Sequence, residues 1–423
     1  MHSYLIVEDS PMVQKIIQHV VQQENLDNVY FADSMATGLA LYERHKDTLL
    51  ACIIDRNLPD APDGEMVSAM LSHGVPTIVL TGSAGEELRQ QLLSMGVADY
   101  VLKENRFSYQ YAVRTLKRLT RNRSIKALVV DDSSTARQAV SQYLALYQFQ
   151  VVEAASADEG LHQLGKHDDI KLVIIDYNMP GKNGIQFVQQ VRHDFDKRPL
   201  AIIGLSGQTE HQLSVRFIKT GANDYLQKPF AQEEFICRVT NTVDALEQMI
   251  ELDQRATRDY LTHLYNRRYF MEEGELLVDK CRRSQTPLTL ALLDIDYFKQ
   301  INDEYGHEAG DRVLIQLAEY LTSVFERFTL ARIGGEEFAI IFSGLDECRT
   351  LALLDQFRSY LANQIFMVTE DEYIRVTFSA GVTQQTDLDS LDRVMARADK
   401  ALYAAKDAGR DMVMTDTIED SSI

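Results

Sequence analysis

The sequence is poor in cysteine, in long apolar runs and in positive charge. Only four cysteines occur among 423 residues, at Cys52, Cys237, Cys281 and Cys348. They are scattered and show no CxxC spacing. That excludes a disulfide framework or a thiolate zinc site and suits reduced thiols in a cytoplasm. No apolar run approaches the length of a membrane span. "MHSYLIVEDS" passes directly into a strand pattern followed by acids, so no secretory leader is expected. Lysine and arginine total 43 against 63 aspartates and glutamates, a net charge of -20. A surface of that sign repels a nucleic-acid polymer but not a single nucleotide held through a metal ion. The remaining composition, 45% hydrophobic and 25% charged, is that of globular domains, and the length fits about three of them.

The first half contains a repeat. "YLIVEDS", from Tyr4, returns as "ALVVDDS" from Ala127, and "ACIIDRNLP", from Ala51, returns as "LVIIDYNMP" from Leu172. "TIVLTGSA" and "GVADYVLKE" return as "IIGLSGQT" and "GANDYLQKP". The copies are about 120 residues apart, which makes two tandem domains. Apolar strands alternate with helix-period segments in each, which predicts α/β folding on a doubly wound parallel sheet. Such sheets gather the residues at their strands' carboxyl ends into one crevice. There each copy places an acidic pair (Glu8 and Asp9; Asp131 and Asp132), a lone aspartate (Asp55; Asp176), a hydroxyl (Thr81; Ser206) and a lysine (Lys103; Lys228). Three carboxylates repel one another unless a cation sits among them, so one Mg²⁺ is expected per copy. The lone aspartate can then attack a phosphoryl group, with lysine and hydroxyl holding the new oxygens.

These residues resemble response-regulator receiver domains, of flavodoxin-like fold. The resemblance implies phosphorylation of Asp55 and Asp176 by a histidine kinase or phosphotransfer protein, and it makes Tyr100 and Tyr225 the switch aromatics. The first copy departs from the pattern: Glu104 follows Lys103 where proline is usual, and its loop "LPDAPDG" is one residue longer than "MPGKNG".

Two joints follow. The basic stretch from Val113 to Lys126 reads as a solvated helix end and linker, an acidic partner being the alternative. Beyond Phe230, Ile236, Val243 and Ile250 are seven apart, as are Val239 and Leu246. This a/d seam suits a closing helix or, because the run continues toward Asp259, a stalk that pairs with a second chain; the stalk is the expectation.

The last third holds "LARIGGEEFAII", two apolar runs around two glycines and two glutamates, which reads as a β-hairpin. Its tip suits either a solvated turn or a site where carboxylates hold metals on a polyphosphate. Leu288 to Leu293 reads as a buried strand ending at Asp294, and Val313, Leu314, Leu317 and Leu321 form one helix face. "DYLTHLYNRR", "DIDYFKQIND", "GHEAGDRVL", "GGEEF" and "ALYAAKDAGR" occur in that order. Together they resemble the GGDEF diguanylate cyclase domain, an α/β nucleotide-cyclase-like fold, and the whole chain resembles the receiver–receiver–GGDEF architecture of the PleD type. The expected division is receivers at 1–121 and 122–240, a helical stalk at 241–258, the cyclase at 259–416 and an acidic tail at 417–423.

Asp294, Glu336 and Glu337 are hard oxygen ligands suited to two Mg²⁺ on a triphosphate, and the resemblance adds the Ile295 carbonyl. Gly334 and Gly335 leave room for the nucleotide. Lys406 and Arg410 would neutralise its outer phosphates, and the resemblance adds the amides near Phe298 and Lys299. Asn302 and Asp311 match the guanine-reading pair; a carboxylate accepts both N–H groups on guanine's edge, which selects GTP over ATP. Glu337 suits the general base as well as a ligand. Asp296 and His307 are expected to be structural. The family makes cyclic di-GMP from two GTP across a homodimer. Its product-inhibition motif RxxD is replaced here by Phe325 and Phe328, so little inhibition through that site is expected.

Overall fold

The computed structural model describes residues 2–83, 85–196, 198–207, 211–369, 371–386 and 389–416; the expected acidic tail, 417–423, lies outside the described residues. The chain forms two compact units, Met1–Gln248 and Met249–Ile423.

In the first unit, strands Ser3–Val7 (β1), Val29–Ala32 (β2), Leu49–Asp55 (β3), Thr77–Thr81 (β4) and Asp99–Leu102 (β5) alternate with helices Pro11–Gln23 (α1), Met35–His45 (α2), Glu65–Ser72 (α3), Glu86–Met95 (α4) and Arg106–Asn122 (α5). The strands are all parallel, in the order β2-β1-β3-β4-β5. The second copy repeats this with Lys126–Val130 (β6), Ser134–Leu146 (α6), Gln150–Ala154 (β7), Ala157–Lys166 (α7), Ile170–Asp176 (β8), Gly184–Asp194 (α8), Ala201–Ser206 (β9), His211–Thr220 (α9), Asp224–Gln227 (β10) and Gln232–Thr257 (α10). Its sheet has the same order and is also parallel. Local chemistry repeats too. The serine after each acidic pair, Ser10 or Ser133, caps the next helix by accepting the Val13 or Ala136 amide. The central strands are buried along nearly their whole length because helices cover both faces.

Both expectations about the joints hold only in part: the basic stretch does end a helix and Arg114, Arg121 and Arg123 are exposed, but much of the rest is packed. The basic linker is the second half of α5, and Leu116, Arg118, Leu119 and Asn122 are buried. Arg118 pairs with Asp244 at 2.6 Å and Glu247 at 2.5 Å, and Asn122 donates to the Tyr147 carbonyl at 2.8 Å. Ile236, Val239, Val243 and Leu246 of the heptad seam are buried as well, inside the chain rather than against a second one. Helix α10 closes the second receiver and meets α5 of the first, so packing between the receivers uses both segments. Past that point the helix is open: Met249 and Leu252 are exposed.

In the second unit the order is Tyr265–Asn266 (β11), Arg267–Ser284 (α11), Leu288–Ile295 (β12), Phe298–Tyr305 (α12), His307–Phe325 (α13), Thr329–Arg332 (β13), Glu337–Ser343 (β14), Glu347–Leu361 (α14), Phe366–Met367 (β15), Tyr373–Ile374 (β16), Phe378–Gln384 (β17), Leu391–Asp407 (α15) and Val413–Thr415 (β18). The main sheet runs β11-β13-β14-β12-β17-β18, and β12 is antiparallel to both neighbours. Alternate β12 residues face opposite cores. Ala291, Leu293 and Ile295 pack toward α12, α13 and α14, whereas Leu288, Leu290 and Leu292 pack toward α11 and α15. Asp294 shares the parity of Leu292, and α15 carries Lys406.

Candidate functional site

Parallel strands bring their carboxyl ends to one edge, and the receivers use it in the same way. In the first, Glu8 and Asp55 are buried and Asp9 is exposed. Ligand oxygens of the three lie within 4.8 Å of one another, and among the described residues no other such carboxylate, histidine or cysteine trio occurs. Lys103 bridges Glu8 and Asp55, at 2.6 Å each. Burial pushes the Glu8 carboxyl above the usual range, against the pull of Lys103. The donor set, three hard oxygens in one crevice, fits a divalent cation. Thr81 ends β4 and is buried, and Tyr100, half-buried in β5, sits beside Arg89 and Glu233.

In the second receiver Lys228 reaches Asp131 at 2.8 Å and Asp176 at 2.6 Å, Asp132 is exposed, and Ser206 is buried at the end of β9. Here burial raises the Asp176 carboxyl above the usual range. The switch position Tyr225 packs on Phe217, with ring centroids 5.7 Å apart.

The third crevice lies at the end of β12. Asp294 is cross-strand to Glu337 on one side and to Ser379 on the other. Gly334, Gly335 and Glu336 lie in the turn between β13 and β14, and Glu337 opens β14, as the hairpin reading expected. A Cβ on Gly334 would meet the Glu337 carboxylate and displace it from where it now lies; Gly335 faces open space. Asp294 is buried and Glu336 half-buried. Burial raises both carboxyls; for Glu336 the nearby Asp294 charge adds to the effect. Lys406, in the last turn of α15, holds Asp294 at 2.8 Å. The Ile295 amide meets the Glu336 carbonyl at 3.4 Å, so hairpin tip and strand end stay together. Three carboxylates with one lysine leave excess negative charge, which fits a metal-bearing polyphosphate.

The remaining predicted residues surround this point. No side chain caps α12, so the amides of Phe298 and Lys299 present an uncapped helix start, which favours anions. A Cβ on Gly310 would collide with the Asn302 side-chain oxygen. Asn302 therefore reaches the first turn of α13, a helix that also carries exposed Asp311. Arg410 follows α15 with its guanidinium over the Tyr297 ring. His307 merely begins α13 and is exposed. Asp296 is buried and accepts from Thr377, Ser379 and the Asp411 amide.

The receiver-domain family model, "Response regulator receiver domain", matches residues 4–109 and 127–240, and "Diguanylate cyclase, GGDEF domain" matches 256–412. A crystal structure of a two-component system response regulator/GGDEF domain protein is 40% identical, with a TM-score of 0.55, and covers 58% of this chain and 100% of its own. The chain belongs to the response regulators that carry a GGDEF domain. Response regulator PleD of Caulobacter vibrioides is 26% identical over 97% of this chain and 98% of its own. Diguanylate cyclase A of Treponema denticola is 35% identical over 38% of this chain and 45% of its own. This protein is accordingly a diguanylate cyclase response regulator.

In this cyclase Phe325 and Phe328 are not a polar pair. Phe325 is fully buried and packs edge-on against Phe342 and Phe357, and Phe328 packs on Phe342. The roles of Asp259, Asn266 and Arg332, which lie inside the quoted stretches, were not legible in advance. Arg332 donates to the Gly335 carbonyl at 2.8 Å and to Asp259 at 3.0 Å, which fastens the hairpin tip to the start of the domain. Asn266 caps α11 and also donates to the Ala256 carbonyl at 2.8 Å. Arginine two residues before the glycines is the one local sign that could have been read.

Proposed function

We propose that Asp294, Glu336 and Glu337, with the Ile295 carbonyl, hold two Mg²⁺ on each GTP, and that two GTP react across a homodimer of GGEEF domains. The observation that carries this reading is the convergence of the hairpin tip, Asp294 and Lys406 at the end of β12. Bound Mg²⁺ supplies charge neutralisation and a lowered hydroxyl pKa. Asn302 and Asp311 orient guanine; Gly334 and Gly335 admit the phosphates. Lys406, Arg410 and the amides of Phe298 and Lys299 neutralise the outer phosphates. Lys406 exchanges Asp294 for phosphate when GTP binds. Glu337, exposed at the start of β14, takes the proton of the 3′-hydroxyl. That oxygen bonds to the α-phosphorus of the facing GTP, the bond to the β-phosphate bridging oxygen breaks, and pyrophosphate leaves. The second, symmetric transfer closes cyclic di-GMP. Each chain holds one GTP, so catalysis depends on how two domains face each other.

Asp55 and Asp176 accept phosphate from a histidine kinase or phosphotransfer protein in the cytoplasm, each with one Mg²⁺ held by its acidic pair. No helix among the described residues is long and apolar enough to cross a membrane. Thr81 and Ser206 bind the new phosphate and turn Tyr100 and Tyr225, and the change alters dimer geometry. The test is cyclic di-GMP synthesis from GTP and Mg²⁺, with and without beryllofluoride as an aspartyl-phosphate mimic. Synthesis should rise with the mimic, and Glu337→Ala should lower turnover by about 10³-fold or more while the protein stays folded. Undiminished turnover in that variant would reject the site assignment.

A further inference from the structure

Past the end of α15 the chain takes an unusual path. Gly409, Arg410 and Asp411 have φ values of 125°, 67° and 47°. Two consecutive side-chain-bearing residues in the left-handed region are strained, and such strain persists only where the surroundings over-determine it. The surroundings here are specific. The Asp411 amide donates to Asp296 Oδ2 at 2.9 Å. That carboxylate is 4% exposed and is itself fixed by Thr377 Oγ1 at 2.8 Å and Ser379 Oγ at 2.7 Å. The Asp411 carboxylate is held by Arg358 Nη1 at 2.8 Å. The Arg410 amide returns to the Ala405 carbonyl at 3.1 Å.

The path ends in a purpose for one side chain. The Arg410 guanidinium lies 4.8 Å from the centroid of the Tyr297 ring. Tyr297 is 53% exposed and left-handed at φ 57°, so it leaves β12 and starts α12 with its ring turned to the surface. A tyrosine spent on solvent in a strained conformation gains little for folding. As a platform it restricts a flexible arginine at the uncapped start of α12.

We propose that Asp296 and Tyr297 are positioning residues, which together fix the Arg410 guanidinium in place for the outer phosphates of GTP. Asp296 acts on the backbone, by pinning the left-handed turn through Asp411; Tyr297 acts on the side chain. Both directly follow the strand end that carries Asp294 and Ile295, so one short segment sets the metal side and the phosphate side of the site. The inference rests on the reading of Arg410 as a phosphate ligand.

The test is calorimetric binding of α,β-methylene-GTP and of GMP, each with Mg²⁺, to the full chain. Arg410→Ala should weaken the triphosphate about 10-fold and leave GMP unchanged. Tyr297→Leu should weaken the triphosphate about 3-fold and Asp296→Asn about 10-fold, again sparing GMP, whereas Tyr297→Phe should bind as the wild type does. Adding Arg410→Ala to Tyr297→Leu should cost nothing beyond Arg410→Ala alone. Unchanged triphosphate affinity in Arg410→Ala would overturn the phosphate reading and this inference with it. Weakening in Arg410→Ala with none in Tyr297→Leu or Asp296→Asn would overturn the inference alone. So would equal losses for GMP and triphosphate, or additive losses in the double variant, since those mark a merely structural role.

Discussion

Asp99 in the first receiver and Asp224 in the second stand at the same point of the repeat, each one residue before the switch tyrosine, yet their surroundings differ. Asp99 is buried and accepts from Tyr111 and Tyr147 at 2.8 Å each, the second hydroxyl coming from the other receiver. Asp224 is half-buried and takes Arg238 of its own receiver, at 3.1 Å to each oxygen. The contrast extends across the whole side. In the first receiver α4, β5 and α5 are joined to α10 through Arg89–Glu233 and Arg118–Glu247. In the second, α9, β10 and α10 border an open groove where Val215 and Ile218 are about half exposed. Duplication copied the chemistry at the strand ends, where every ligand comes from the copy itself. It did not copy the environment of the switch side, because here the second receiver packs on that side of the first, while Val215 and Ile218 on its own corresponding side stay about half exposed.

The contrast can be broken most strongly at the acceptors. Tyr100 touches the pair that ties the first receiver to α10, so Asp55→Asn should cut the beryllofluoride stimulation of cyclic di-GMP synthesis about 10-fold. Asp176→Asn should cut it less, and the reverse order would sink this reading of the two sides. Next comes Arg118, a 6% exposed cation whose acids lie across the receiver boundary. Arg118→Ala should lower the local stability of α5 by about 2 kcal/mol, read by hydrogen exchange. Arg238→Ala, on the open side, should lose less than about 1 kcal/mol in α10. Tyr147→Phe removes one donor from a buried carboxylate and should cost about 1–2 kcal/mol in the same measurement.

The smallest effect is on pH. Burial holds the Asp99 carboxyl above its ordinary range, despite the two tyrosines. A raised folded pKa gives stability that is full below the unfolded value, about 3.9, and lost as pH rises through the folded one. Asp99→Asn has no such loss. Its stability relative to the wild type should therefore climb with pH across that window and then level. A flat difference would mean that Asp99 does not feel its burial.

Much of the site was readable because it is local in sequence. Glu8 and Asp9, the GGEEF segment, and the Lys406 and Arg410 spacing each lie within one motif, at the end of one strand or helix or across one hairpin turn. The hairpin, the strand ending at Asp294 and the helix face from Val313 follow from periods of two and three to four residues. The misread segments were of another kind. Arg118 looked like a solvated linker and Val243 like a seam for a second chain, since basic residues and heptads carry the same pattern whether the acid or apolar partner is a neighbour in the chain or another molecule.

The sequence by itself determined three domains and three acidic crevices each with its lysine, because strand ends and tight turns place adjacent residues predictably; the reaction came from the resemblance of its motifs to a known family. Only the tertiary structure decided that the receivers share α10, that Asp99 is sealed while Asp224 is open, and that Asp296 pins a left-handed turn beside Arg410. Each of those depends on contacts between residues far apart in the chain, and no local period or propensity encodes which distant surface arrives.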